Sequence, residues 1–390
     1  MREGVPEDAG LQPDRIREAE QLVEEGVRSG VFAGAVMLVS RNGILGWHGA
    51  YGYAQLVPSP RPMTLDTLFD LASLTKVTAT LPVVMRLLDF GILDLDAPVQ
   101  TVIAEFHGGG REAVTVRHLL AHTSGLPAWR PLYLRTRKRE DVLQVLCSIP
   151  LANQPGEVVV YSDLGMLLLG FFIERVTGER LDRLFHQLVA EPLELKETMF
   201  TPPPELRQRC AATEEGNEVE KEMAGEDGRG FPWRTHVLCG EVHDGNAYYA
   251  MEGVAAHAGL FSTAKEVARI AQHWITPGSF LSASAVAEAT MLQTRHAKGP
   301  PRGLGWELYH PEVFFAAFGS RSFGHTGFTG TSVAVDPDEG LVVVLLTNRV
   351  HPRGNNNAIE EFRRRFYAAI RRALVHGSTK GGSRCTREEA

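Results

Sequence analysis

The stretch Phe69-Asp70-Leu71-Ala72-Ser73-Leu74-Thr75-Lys76-Val77-Thr78 decides how this chain is read. An apolar approach runs into a serine, and a lysine follows three residues later. Residues 77–90 then carry Val77, Leu81, Val84, Met85 and Leu88 at helical spacing, so Ser73 is expected near a helix start and Lys76 one turn in. Residues at i and i+3 share a face, which brings the ammonium to the hydroxyl. A cation there opposes the helix dipole, and apolar walls would desolvate it; both push the lysine toward its neutral form. A neutral amine beside a hydroxyl is a base beside a nucleophile. For an isolated S-x-x-K the plainer reading wins, with Ser73 a helix cap and Lys76 a solvated first-turn residue. The rest of the chain has to supply the other parts of an acyl-transfer site.

On the N-terminal side, residues 35–40 and 44–49 flank Arg41-Asn42-Gly43, a hairpin signal, and residues 13–27 form an amphipathic helix with Pro13 in its first turn. On the C-terminal side, Pro82 predicts a kink near Thr78, and Gly91 stops the helix. Residues 140–149, 162–177 and 181–189 read as helices, and residues 202–234, polar and weakly periodic, as a loop or lid. Ser262 or Thr263 caps a helix through Trp274. Residues 304–308, 313–318, 331–335 and 341–347 read as strands, residues 356–374 as a closing helix, and 377–390 as a disordered tail. The fold class is therefore α+β. One antiparallel sheet built from both chain ends (1–70 plus 255–376) is flanked by helices, and a mostly helical domain is inserted at 71–254, with a loop or lid at about 202–257.

Length and composition agree with a globular protein. The chain has 390 residues, 44% of them apolar, and 40 basic against 47 acidic residues give net −7 with the signs interspersed. That balance argues against a nucleic-acid or anionic-membrane surface. Cys147, Cys210, Cys239 and Cys385 show no C-x-x-C spacing and read as reduced thiols. No run reaches spanning length and no apolar leader is visible, so a cytoplasmic location is expected, or a periplasmic or secreted one if a leader has been removed. His118 and His122 are four apart, but no third ligand completes a metal set. Neither metal nor cofactor is expected. The expected partner is a small-molecule or peptide substrate, and the sequence leaves the oligomeric state open.

Two further segments bear on Ser73. Tyr161 follows the turn Asn153-Gln154-Pro155-Gly156 and begins a helix; a phenol between a lysine and a serine can shuttle a proton if the cation lowers its pKa. His325-Thr326-Gly327 lies on a strand before Phe328, where His325 and Thr326 can face a cleft and Gly327 lets a substrate backbone approach. The amides of Ser73 and Phe328 are then the natural oxyanion donors.

Ser-x-x-Lys, Tyr-Ser-Asp and His-Thr-Gly, in this order, resemble the serine β-lactamase and penicillin-binding-protein superfamily, and its class C β-lactamase branch in particular. The stretches His122-Thr123-Ser124-Gly125-Leu126 and Gly259-Leu260-Phe261-Ser262-Thr263 are similar as well. The resemblance implies Ser73 as nucleophile, Lys76 as its proton partner and Tyr161 as general base and acid. Asp163 stands where the family usually has asparagine, and His325 where class C enzymes have lysine. These departures imply poor β-lactam hydrolysis and favour amidase, peptidase or esterase activity. Residues 241–247 with 257–263 are similar to amidases and penicillin-binding-like proteins of cell-wall turnover, which implies that His243, Asp244, Asn246 and His257 line the substrate pocket. Loop residues bonding one another fit that stretch equally well. A non-catalytic penicillin-binding-like protein is the alternative from another class.

Overall fold

The computed structural model describes residues 1–354 and 357–375, so the expected tail at 377–390 lies outside the described residues. The strands β1 (Arg2–Glu3), β2 (Gly34–Arg41) and β3 (Ile44–Gln55) come from the N-terminal end. The strands β4 (Glu307–Leu308), β5 (Phe323–Thr326), β6 (Ser332–Asp336) and β7 (Leu341–Thr347) come from the C-terminal end. Together they order as β1-β3-β2-β7-β6-β5-β4, with Arg61–Pro62 as an eighth strand on β3. The β1–β3 pair is parallel and the other pairs are antiparallel.

The apolar run 341–346 has its cause in the layering. In a strand, successive side chains point to opposite faces. Val342, Val344 and Leu346 join Val36 and Leu38 in one core. Leu341, Val343 and Leu345 join Ala35, Met37 and Val39 in the other, against helices Pro13–Arg28 and Ala358–Ala373. Both faces of β2 and β7 are thus covered. Each such side chain contributes about 1.5–3 kcal/mol by leaving water. The two helices meet closely at Gly26, where an added Cβ would stand 3.0 Å from Phe362 Cε2.

Two expectations need correction. Residues 313–318 are not a strand; Val313, Phe315 and Phe318 are buried from a series of turns, so tertiary burial rather than pairing accounts for their apolar character. Residues 202–234 are not simply loop: they contain strand Ala212–Glu215 and helix Glu218–Ala224. Their polar composition hides a polar core, in which the buried Arg234 donates to Asn217 Oδ1 (2.9 Å), Val242 O (2.8 Å) and His243 O (2.9 Å). No helix among the described residues is long and apolar enough to cross a membrane, and Cys147, Cys210 and Cys239 are free.

Candidate active site

Ser73 sits on a short 3₁₀ turn, Ala72–Leu74, directly after strand Phe69–Asp70, which pairs with Leu260–Ser262. The buried Asp70 shapes this turn by accepting from Ala72 N (2.8 Å) and His243 N (2.7 Å). Ala72 adopts φ +46°, a left-handed conformation that costs an alanine on the order of 1–2 kcal/mol and survives because these bonds hold it. Lys76 opens a π-turn, Lys76–Thr80, that runs into helix Leu81–Asp89. The wider turn is the local answer to Pro82, which has no N–H to return to Thr78.

The structure brings Ser73, Lys76 and Tyr161 together. Lys76 is fully buried; its ammonium donates to Ser73 Oγ at 2.9 Å and His257 O at 3.0 Å and forms an ion pair with Asp163 Oδ1 at 2.8 Å. The expectation of a neutral lysine is overturned here. Burial does push its pKa down, but the Asp163 carboxylate more than offsets that, and the net shift is upward. The missing ingredient was the acid at 163, which lies 87 residues away in sequence.

Tyr161 precedes helix Asp163–Thr177, which Ser162 caps by accepting from Gly165 N. Its phenol lies beside both Lys76 and Ser73, and Lys76 Nζ is 4.8 Å from the ring centroid. The expected lowering of its pKa is also reversed, because burial raises it by more than Lys76 lowers it. The phenol is therefore protonated, and its buried oxygen has no partner of good hydrogen-bond geometry among the described residues.

The end of β5 closes the site. Gly327 is needed for the protein's own packing: a Cβ there would stand 2.1 Å from Thr331 Oγ1 and 2.4 Å from Leu71 O. This contact sets Phe328 against the Ser73 turn, where Thr329 and Thr331 hydroxyls donate to Asp70 O and Leu71 O. The His325 Nδ1 contact with Thr326 O (2.8 Å) assigns the proton to Nδ1 and leaves Nε2 buried and unpartnered. Burial, then Arg302 and Lys76, hold this imidazole well below its ordinary pKa, so it is neutral.

Two cavities meet at Ser73, Tyr161 and Phe328. The larger, about 340 Å³, is basic, with Arg302, Arg349 and Arg363 beside His325, Thr326 and Gly327, and with Glu307 and Glu360 at its margin. Arg302 is 8% exposed, lies 5.4 Å from the Tyr161 ring centroid, and its Nε and Nη1 are buried without hydrogen-bond partners among the described residues. The other cavity, about 170 Å³, is acidic: Asp163, Glu220 and Asp244 lie with His243 and His257 among Trp129, Val219, Met223 and Phe328. There His257 Nε2 pairs with Asp244 (2.9 Å) and His243 Nε2 with the buried Glu214 (2.9 Å). Burial opposes protonation of both imidazoles, but the carboxylates prevail and raise their pKa values.

Two residues expected in the pocket line neither cavity. Asn246 is buried, and its amide is spent on Leu132 N (2.8 Å) and Arg130 O (2.9 Å), tying two loops together. His122 accepts from Ser162 N (3.0 Å) and packs its ring on Tyr161 at 4.6 Å, so it supports the phenol from behind. Conversely, Arg302, Arg363 and Glu220 went unflagged. Arg363 falls on the buried stripe of Ile359, Phe362, Phe366 and Ile370, a charge on an apolar face that the pattern did offer. Arg302 and Glu220 sit in segments without periodicity and offered no such signal. Among the described residues no cluster is suited to hold a metal ion.

Residues 19–367 match the family model described as Beta-lactamase. The chain is 34% identical over 388 residues to the N-acetylmuramyl-L-alanine amidase of Bacillus subtilis (strain 168), covering 91% of this chain and 86% of the relative. Among solved structures, a novel penicillin-binding protein homolog from Caulobacter crescentus superposes with TM-score 0.72 at 22% identity, covering 94% of this chain and 99% of that one. EstCE1, a hydrolase with promiscuous acyltransferase activity, superposes with TM-score 0.71 at 21% identity over 93% and 98% of the two chains. The chain belongs to the β-lactamase family and is a serine hydrolase of the penicillin-binding-protein type.

Proposed function

We propose that Ser73 is the nucleophile of an amidase or peptidase acting on small cell-wall-derived peptides that carry a carboxylate. The observation that carries this reading is the buried cluster of Ser73 Oγ, Lys76 Nζ at 2.9 Å and the Tyr161 phenol, at the meeting point of two charged cavities. Lys76 donates to Ser73 and to His257 O and pairs with the Asp163 carboxylate, so it acts as a fixed cation. Tyr161 moves the proton: its phenol receives the Ser73 proton while passing its own to the leaving nitrogen as the C–N bond breaks. The Ser73 and Phe328 amides take the oxyanion, each worth roughly 10²–10³ in rate. Water then resolves the acyl-enzyme by the reverse relay.

The carboxylate requirement rests on Arg302. A buried guanidinium without an anion is costly, and a substrate carboxylate would satisfy it. His325 is neutral here, so Arg302 and Arg363 take over the cationic part that a lysine on this strand would play. An amide substrate is also what the 34%-identical amidase is named for.

The deciding experiment compares wild type with Ser73→Ala on p-nitrophenyl acetate and on a muramyl peptide. The variant is expected to lose at least roughly 10³-fold in kcat/KM on both, with an unchanged melting temperature. Full activity in Ser73→Ala would refute the assignment. Turnover of the ester but of no amide would favour a carboxylesterase, a reading that the superposition on EstCE1 keeps in view.

A further inference from the structure

We propose that the acidic cavity is a binding site for a primary ammonium group of the substrate, with the Glu220 carboxyl as its anchor. The proposal deepens the amidase reading and rests on it. Of the three carboxylates that line this cavity two already have a cation, Asp163 in Lys76 and Asp244 in His257, and behind it Glu214 has His243. Glu220 is the exception. It is 5% exposed, its Oε1 accepts from Gly245 N, and among the described residues its Oε2 has no partner of good hydrogen-bond geometry, with the Tyr133 phenol beside the carboxyl. It stands on helix Glu218–Ala224 beside Val219 and Met223, which line the same cavity as Ser73.

The charge balance favours a cation over a neutral hydroxyl. The groups facing Glu220 are Asp244, His243, Arg234 and the Tyr133 phenol. Burial, then Asp244, raises its pKa to about 7, so near neutrality the carboxyl is poised between its two forms. An arriving ammonium supplies the counter-charge that Glu220 lacks, and Glu220 then releases its proton to solvent. A hydroxyl would leave the two acids repelling each other. Trp129, Met223 and Phe328 add apolar surface to the cavity lining.

The ammonium could be an α-amino group or the side chain of a basic residue, and the test separates them. Alaninamide, Nα-acetyl-lysinamide and Nα-acetylalaninamide serve as competitive inhibitors of p-nitrophenyl acetate hydrolysis. At least one amine-bearing ligand is expected to bind roughly tenfold tighter than Nα-acetylalaninamide, about the value of one charge-assisted contact. Glu220→Gln keeps the shape and removes the charge, so it should bring the three inhibition constants to within about twofold of one another. In wild type the preference should grow roughly tenfold from pH 5.5 to pH 7, as Glu220 ionises. Equal inhibition by all three ligands in wild type, a preference that survives Glu220→Gln, or a flat pH profile would each overturn the proposal. The pH series stands even if Glu220→Gln does not fold. If ester hydrolysis proves independent of Ser73, the amidase reading fails, and calorimetric binding of the same ligands still tests the cavity.

Discussion

The basic and the acidic cavity share Ser73, Tyr161 and Phe328, yet they handle charge in opposite ways. On the acidic side nearly every carboxylate is neutralised by a neighbour brought from another segment: Lys76 for Asp163, His257 for Asp244, His243 for Glu214. On the basic side Arg302 keeps two buried nitrogens without acceptors, and burial together with Arg349 lowers the pKa of the buried Arg363 to about 10. Paired buried charges hold a site in shape, whereas unpaired ones cost stability that only a ligand restores. The comparison teaches that the carboxylate end of the substrate should contribute most of the binding selectivity, while the acidic side mainly keeps the catalytic groups in register.

The sharpest way to break that contrast is at the shared edge. Tyr161→Phe should lower kcat by roughly 10²–10⁴ with little change in KM, because it removes the proton carrier and leaves both cavities lined as before. A loss confined to KM, read from steady-state kinetics, would make the phenol a binding group instead.

Arg302→Met tests the basic side. It should raise KM for carboxylate-bearing peptides about 10–100-fold, leave the KM for p-nitrophenyl acetate nearly unchanged, and not lower the melting temperature, since an unpaired buried charge has been removed. A clear drop in melting temperature would show that Arg302 is structurally paired after all.

Asp163→Asn tests the acidic side, and its sign is informative. Asp163 keeps the Lys76 pKa above its usual value, so the ammonium persists through neutral pH and beyond. Without the carboxylate, burial dominates and the lysine pKa falls. If Lys76 works as a cation, the alkaline limb of kcat/KM moves to lower pH. If it works as a neutral base, the acid limb moves instead, and activity at low pH rises.

Much of this was legible along the chain. The helix at 13–28, the hairpin at 34–55 and the buried strand at 341–347 follow from local periodicity and turn chemistry, and the structure repeats them within a few residues. The spacing Ser73-x-x-Lys76 set the pair within reach because both residues lie on one continuous turn. The charge states were not legible, because each depends on partners remote in sequence. Asp163 decides that Lys76 is charged; burial decides that Tyr161 and His325 are neutral. Asn246 looked like a pocket residue by the company it keeps, and only the folded chain showed its amide spent on residues 130 and 132.

The sequence by itself determined the α+β architecture and singled out the hydroxyl, amine and phenol that the fold brings together, since these rest on short-range patterns and motif order. Tertiary structure alone decided which of those groups carry protons, where unmatched charge waits for a ligand, and which histidines and amides merely support their neighbours. The physical reason is that pKa and pairing depend on burial and on contacts within a few ångströms. Those are properties of the folded interior, and no local stretch of chain contains them.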